Sequence, residues 1–474
     1  MAHFRHFEFH MKYQNFNFLK NPIRGFTNLS PPQMITCSFA IIIAVGTFLL
    51  CLPWATVGDR LSLVNGLFTA VSATCVTGLT VVDIGTELSL FGQLVVLSLI
   101  QVGGLGIMTF STFFLYLLGR RVSFRGRDII GSTLSHRPVQ SIGSLLWKIM
   151  IIVFLVEGVG VCLLTFAWSQ YYSFSKAFYH GIFHAISAFC NAGFSLYSNS
   201  FEGFQLDLMI NSVTMGLIVL GGLGFVVLLD LKYLLRGPRK GFRNLSFHSK
   251  VVLTATLFLI LFGTLFIFWV ERVHGFRQFK LGPGLLMALF QSVTARTAGF
   301  NTVPIDSLTN GVCFIIAFLM FIGGAPGSCA GGVKVSTLGI LVAIFISRLR
   351  GYEEPQLFFR SIPRETAGKA LTIVLSSVLL ISIAISGLLL TEDLSMSPDE
   401  SRGHFIKLVF ETISAFGTVG LSMGVTSQLT TTGRLFIILL MFIGRLGPLT
   451  MAVALTRRKP VGRFRYAKGE IMVG

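Results

Sequence analysis

Four short stretches of the chain end on a glycine preceded by small or hydroxyl-bearing residues. They are Thr74-Cys75-Val76-Thr77-Gly78, Cys190-Asn191-Ala192-Gly193, Arg296-Thr297-Ala298-Gly299 and Gly417-Thr418-Val419-Gly420. None pairs a nucleophile with a base, and none has metal-ligand spacing, so the chemistry on offer is that of the backbone. Glycine tolerates positive φ, which lets a turn aim its carbonyl oxygens inward. Carbonyls can replace the hydration shell of a potassium-sized cation without adding net charge. One such glycine reads as an ordinary turn. Four of them, spaced 115, 106 and 121 residues apart, point to one task performed four times.

Each stretch follows the same six-residue pattern: Phe68-Thr69-Ala70-Val71-Ser72-Ala73, Phe183 to Ala188, Phe290 to Ala295 and Phe410 to Ala415. The third copy is one residue shorter between its Phe and its glycine. Long apolar segments precede the copies near 34–54, 146–168, 249–270 and 370–390, and follow them near 88–118, 208–235, 310–347 and 432–456. A helix rises about 1.5 Å per residue and the hydrocarbon core is about 30 Å thick, so the aligned pieces are too short to cross it. They read as half-helices that enter and turn back, their C-terminal ends each offering about half a negative charge to a cation. Non-helical backbone at that depth is tolerated where it is buried in protein or lines a cavity.

The expected fold is an all-α polytopic membrane protein. Four span–re-entrant pore helix–span repeats surround one pore in a pseudo-fourfold arrangement with eight transmembrane helices. The expected order is a cytoplasmic leader 1–33, repeat 1 over 34–118, a loop 119–145, repeat 2 over 146–235, a loop 236–248, repeat 3 over 249–347 with a broken second helix, a loop 348–369, repeat 4 over 370–456 and a tail 457–474.

Composition agrees. The chain is 53% hydrophobic and 12% charged, with a mean hydropathy of +0.76, where soluble domains carry about 25% charged residues. The net charge of +18 is not a nucleic-acid signal, because 27 of the 38 Lys and Arg residues fall in 1–33, 119–148, 231–250, 347–369 and 456–474. The intervening segments carry Asp59, Asp83, Glu87, Glu202, Asp207, Asp306, Glu392, Asp393, Asp399 and Glu400. That alternation is the cytoplasmic Lys/Arg bias of a multi-pass protein with both termini inside; the cell inner membrane is the expected location, as the family resemblance given below implies. The seven cysteines sit in or beside apolar segments, with no disulfide framework implied. The basic, Phe-rich leader lacks the apolar core and cleavage site of a signal peptide. Nothing converges as an enzyme site.

A second marker recurs 24–28 residues after each glycine: Gly103-Gly104-Leu105-Gly106, Gly221-Gly222-Leu223-Gly224, Gly323-Gly324-Ala325-Pro326-Gly327 and Gly444-Arg445-Leu446-Gly447. Small residues at mid-membrane suit close helix packing. The third copy runs on through Ser328, Cys329, Ala330, Gly331 and Gly332, a proline and five glycines that no continuous helix holds cheaply. A break at the midplane marks either a transport path or a static kink. Lys334 follows it, and Arg445 replaces a marker glycine. Charges at that depth need a partner, which for Arg445 is either the pathway itself, Glu157 or a backbone carbonyl. Glu411 occupies the place of Thr69, His184 and Gln291, where it either bonds the fourth glycine strand or packs. Arg296 is expected to brace the third. His180 and His184 lack a third ligand for a metal site, so the only metal expected is the permeating ion.

With these residues in view, the chain resembles the Trk/Ktr/HKT superfamily of potassium transporters, and within it the KtrB-type membrane subunits. The strings that carry the resemblance are Val76 to Leu79, Ser187 to Phe194, Thr294 to Asn301, Phe410 to Leu421, Gly331 to Thr337 and Ile443 to Thr450. They cover the chain from about residue 30 to its end. TrkH-type members carry a further helix pair ahead of the first repeat, for which the 33 residues preceding the first span leave no room.

The resemblance implies a potassium filter at the four glycine stretches and a gate formed by residues 323–332 with Lys334 and Arg445, the latter lining the path. Superfamily members that favour sodium often carry Ser at the first filter glycine, so Gly78 favours potassium. It also implies a homodimer, a cytosolic ring of nucleotide-binding RCK-type regulatory subunits through which alone a nucleotide acts, and sodium as an activator of some members. A sodium-permeable or sodium-coupled transporter of the same fold is the alternative.

Overall fold

The computed structural model describes residues 30–106, 142–236, 242–393 and 397–455. Most of the expected leader, residues 107–118 of the first repeat, most of the 119–145 loop and the tail lie outside them.

Among the described residues, four helices are long and apolar enough to cross a membrane: α1 (Pro31–Leu50), α4 (Ile142–Trp168), α8 (Phe247–Glu271) and α12 (Arg364–Glu392). Their starts are written locally. Ser30 opens α1 with prolines in the first turn and a capping box to Gln33, and Ser246 opens α8 by accepting from Ser249 N at 3.2 Å. Each long helix is followed by a shorter one: α2 (Leu63–Thr74), α5 (Phe174–Phe189), α9 (Leu281–Thr294) and α13 (Pro398–Gly417). The leading Phe of every six-residue pattern, Phe68, Phe183, Phe290 and Phe410, is completely or almost completely buried.

The third helix of each group then returns: α3 (Leu90–Leu105), α6 (Leu208–Gly222), α10 (Asn310–Phe321) and α14 (Thr431–Leu446). Within a group the long helix packs on both others. Between groups α3 packs on α5, α6 on α9, α10 on α13, and α14 back on α2, so the contacts close into a cycle.

The sequence reading expected a break only in the third returning segment, and here the structure corrects it. α6 continues as α7 (Phe225–Asp230) at a bend of 102°, and α14 continues as α15 (Pro448–Leu455) at a bend of 97°. Among the described residues, only the third group has a full interruption, from Phe321 to the restart of α11 (Val335–Leu349). In the first, second and fourth groups the cause is the last glycine of the marker: Gly106, Gly224 and Gly447 have φ of 80°, 85° and 86°, values that end a right-handed helix; α10 stops earlier, at Phe321, ahead of Gly327 with φ of 68°.

The first marker glycine is where the packing expectation applies. A Cβ on Gly103 would strike Thr74 O, on Gly221 Phe189 O, and on Gly444 Phe416 O. In the first, second and fourth groups the marker thus lets the returning helix lie against the end of a short helix and then turn away; Gly323 of the third faces Gly331 O instead. The remaining described elements include a two-residue-per-strand hairpin, β1 (Gln356–Leu357) with β2 (Arg360–Ser361).

Gly444→Ala should therefore lower the detergent melting temperature, overpacking of this kind costing about 1–3 kcal/mol. Gly216→Ala on α6, where a Cβ meets nothing within 4 Å, should leave it unchanged or raised.

Candidate functional site

The four short helices deliver their C-terminal ends to one place, and the four glycine turns begin there. Each turn is held by the same hydroxyl, four residues after the leading Phe. Ser72 Oγ donates to Leu79 O at 2.7 Å and accepts from Gly78 N at 3.1 Å. Ser187 Oγ donates to Phe194 O at 2.8 Å, and Thr294 Oγ1 to Phe300 O at 2.6 Å. Ser414 Oγ accepts from Gly420 N at 3.1 Å. The residue before each glycine donates its N–H to the carbonyl of that same Ser or Thr: Thr77 to Ser72 at 2.8 Å, Ala192 to Ser187 at 2.7 Å, Ala298 to Thr294 at 2.9 Å and Val419 to Ser414 at 2.9 Å. The missing residue of the third copy is absorbed without losing this pattern.

The glycines have φ of 90°, 71°, 82° and 95° at Gly78, Gly193, Gly299 and Gly420. Two residues ahead of each, Val76, Asn191, Thr297 and Thr418 also have positive φ, from 50° to 71°. That is an uncommon state for non-glycine residues and a strained one for β-branched side chains. Alternating the hand of successive residues keeps a short strand from alternating its carbonyls as a β-strand does.

The turns meet head to tail. A Cβ on Gly78 would strike Ala192 O, on Gly193 Ala298 O, on Gly299 Val419 O, and on Gly420 Thr77 O. The hydroxyls of Thr74, Thr77 and Thr418 are buried and find no protein partner among the described residues.

On one side the ring opens into a cavity of about 480 Å³ whose walls include Asp83, Glu87, Glu202 and Asp306 and no Lys or Arg. Burial raises the Glu202 carboxyl above the ordinary carboxylate range; its bond from Asn301 opposes that shift and the charge of Asp306 adds to it.

On the other side lies the interrupted stretch between α10 and α11. A Cβ on Gly331 would strike the Thr418 side chain, and one on Gly332 would come within 3.3 Å of Gly417. The stretch is pinned by its own and neighbouring backbone. Gly323 N donates to Val333 O at 2.8 Å, Ala325 N to Gly222 O at 2.9 Å, Cys329 N to Gly221 O at 3.3 Å, and Phe225 N to Gly327 O at 3.0 Å. Ser328 Oγ closes a turn on Ala325 O at 2.6 Å. Lys334 Nζ donates to Ala330 O at 2.7 Å, so this charge is spent on the stretch it follows. Arg296 donates to Thr256 O at 3.2 Å and Gly323 O at 3.5 Å, tying the third turn to the same stretch.

Arg445 bridges Cys329 O, in the interrupted stretch, and Gly103 O at the end of α3. Of the partners open to it, the backbone carbonyls hold it. Glu157 is bonded instead by Gln101 Nε2 at 3.1 and 3.2 Å. The guanidinium thus meets the negative end of a helix and an exposed carbonyl. Glu411 accepts from Ser422 Oγ at 2.9 Å and from Thr426 Oγ1, which fastens the segment leaving the fourth turn. His184 does the equivalent for the second, its Nε2 lying 3.2 Å from Ser195 Oγ and accepting from Leu196 N at 3.3 Å. His180 Nδ1 lies 2.7 Å from Tyr197 Oη, so both histidines serve the aromatic wall.

Sequence reasoning missed the Ser/Thr brace, although that position is the only one in the six-residue pattern that carries a hydroxyl in all four copies. It also missed the positive φ at Val76, Asn191, Thr297 and Thr418, for which residue type carries no signal.

A family model described as "TrkH: Cation transport protein" matches residues 28–465. The chain is 36% identical to the Ktr system potassium uptake protein B of Bacillus subtilis (strain 168), over 96% of this chain and 99% of that one. It is 37% identical to the protein of the same name from Vibrio alginolyticus, over 94% and 95%. It is 34% identical to the potassium/sodium uptake protein NtpJ of Enterococcus hirae, over 94% and 98%. The crystal structure of the potassium transporter TrkH from Vibrio parahaemolyticus superimposes with a TM-score of 0.69 at 19% identity, covering 94% of this chain and 87% of that one, which is a likeness of fold. These relatives are transporters, not enzymes, and the chain belongs to the TrkH family of cation transport proteins.

Proposed function

We propose that the chain takes up potassium across the cytoplasmic membrane through the ring of glycine turns, which acts as its selectivity filter. The observation that carries this reading is the head-to-tail ring. Four turns with positive-φ glycines leave room for nothing but backbone, and a dehydrated cation needs backbone carbonyls and no net charge. The carboxylates around the outer cavity raise the local cation concentration. A membrane potential then drives each charge inward with about 2.3 kcal/mol per 100 mV.

The four helix groups are four repeats about one pore. The four long helices and the two bent pairs, each counted as one crossing, make six; counting α3 and the α10–α11 pair likewise brings this reading to eight. The basic stretches put both termini in the cytoplasm. The interrupted stretch is the gate, held shut by Arg445. The names of the Ktr relatives point to a system of several components. In this reading the subunit is one half of a homodimer on a cytosolic RCK-type ring, through which a nucleotide acts. The name of NtpJ keeps sodium open as a second permeant or activating ion.

Three measurements test this. In cells lacking their own transporters, Gly78→Ser, whose Cβ must displace Ala192 O, should lose potassium selectivity and admit sodium; unchanged uptake and selectivity would remove Gly78 from the filter. Ser414→Ala orphans Gly420 N–H at a cost of about 1–3 kcal/mol. Potassium-over-sodium preference should then fall on the order of tenfold, about 1.4 kcal/mol, and Ser414→Thr should restore it because Thr294 already serves the third turn. Arg445→Gln removes the tie between Cys329 O and Gly103 O. Uptake at saturating potassium should rise severalfold with selectivity intact, whereas a slower rate would mean that Arg445 assists passage.

A further inference from the structure

The β1–β2 hairpin makes a two-residue turn whose central residues are both phenylalanine. Phe358 has φ 49° and Phe359 φ 59°. A turn with positive φ at both positions calls for Asn-Gly, since L side chains rarely adopt that conformation. The hairpin carries two aromatic rings there instead, and Phe359 is fully exposed at 108%. Phe358 rests on Phe242 with ring centroids 6.5 Å apart. Strain kept for the display of an unshielded apolar tip is evidence that something receives it.

The place of the hairpin identifies the receiver. It joins two apolar helices whose outward faces carry Phe345, Leu349 and Leu375, exposed by 66%, 73% and 68%. It is tied back to the last turn of α11: Tyr352 N donates to Ser347 O at 2.9 Å and Gln356 N to Ser347 Oγ at 2.9 Å. Strands of two residues, at about 3.3 Å each, leave the tip roughly 10 Å from that base. The headgroup layer is about 5–7 Å deep on each side of the hydrocarbon. With the end of α11 at the hydrocarbon edge, a reach of that size puts the tip within or just beyond the headgroup layer. Beside it stand the exposed Arg348, Arg350 and Arg360, while Arg364 holds Glu353 at 3.3 Å. Over 347–364 the chain has four arginines against two glutamates.

We propose that this hairpin is an anchor for anionic phospholipid, Phe359 and Phe358 entering the headgroup–acyl boundary and the arginines taking the phosphates. The anchored end belongs to α11, whose other end begins beside Lys334, so the lipid fixes the helix that leads out of the interrupted stretch. That the lipid is anionic rests on the cytoplasmic placement proposed above.

The test uses the full chain in nanodiscs carrying Phe359→Trp, with wild type subtracting the signal of the four native tryptophans. The new indole should emit to the blue and be quenched by bromine-labelled phosphatidylglycerol. Arg360→Gln should lower the preference for phosphatidylglycerol over phosphatidylcholine about fivefold. The double change Phe358→Asn with Phe359→Gly suits the turn, so it should melt no lower than wild type in detergent. It should nevertheless lose the upward shift that phosphatidylglycerol gives. Emission typical of water with no quenching overturns the proposal. So does shielding that appears only when cytosolic protein is added, or a double variant that keeps the lipid shift. None of these readouts involves transport, so their failure leaves the pathway reading standing, and a transport defect without lost quenching touches only that pathway.

Discussion

The arrangement depends on one close approach: each of the four glycines lies against the carbonyl of the residue that precedes the next glycine. No side chain fits between, so the ring is made of backbone alone. The demand spreads outward in steps. Positive φ at the glycine leaves an N–H and a carbonyl on either side of it to be held: the Ser72 hydroxyl holds both, those of Ser187 and Thr294 hold the carbonyl, and that of Ser414 holds the N–H. The short helix must end where its hydroxyl meets the turn. It is fixed there by its buried Phe and, in the first, second and fourth groups, by the marker glycine of a returning helix pressed on its last carbonyls.

A second constraint follows from placing irregular backbone at this depth, where an unpaired N–H or carbonyl costs several kcal/mol. Three helices, α3, α6 and α14, end or bend at positive-φ glycines, and helix ends leave carbonyls open. The interrupted stretch takes up those of α6, since Ala325 and Cys329 donate to Gly222 and Gly221. Arg445 takes up those at the end of α3. Three elements from different parts of the chain thus satisfy one another directly below the ring. A stretch so held is ordered while its bonds last. Its own glycines and its lack of helix leave it free to rearrange once they break, which suits the gating role proposed for it.

The legible part of this structure was whatever is repeated or apolar. The long helices are carried by hydropathy and by caps such as Ser30 and Ser246. The positions of the four glycines are carried by self-similarity across segments more than 100 residues apart. The bends at Gly224 and Gly447 were not legible, because a Gly-Gly-Leu-Gly or Gly-Arg-Leu-Gly string satisfies close packing and a helix end equally well. Only the packed structure separates the first glycine, which faces a carbonyl, from the last, which turns the chain. Nor could Val76, Thr297 or Thr418 be read as left-handed. Their residue types favour extended backbone, and the conformation is imposed by the bonds on either side and by the neighbouring turn. The partner of Arg445 was open for the same reason, since carbonyls carry no residue identity.

The four groups agree where the ring is concerned and diverge one residue after the leading Phe. Thr69 there bonds its own helix at Asn65 O, 2.9 Å away. His184 and Glu411 reach forward to fasten the segments leaving the second and fourth turns, and Gln291 has a buried amide without a protein partner among the described residues. This pattern has a physical basis. In the filter reading proposed above, a spherical cation presents the same requirement to every quarter of the ring, and that requirement falls on backbone atoms, so a hydroxyl brace and a glycine recur in each quarter of this chain. The side chain behind the turn meets no ion and answers only to its own surroundings, which differ in each quarter. Equivalence at the ring with divergence one layer behind it is what a pathway built from one folded chain should look like. In an assembly of four identical subunits the second layer would be forced to match as well.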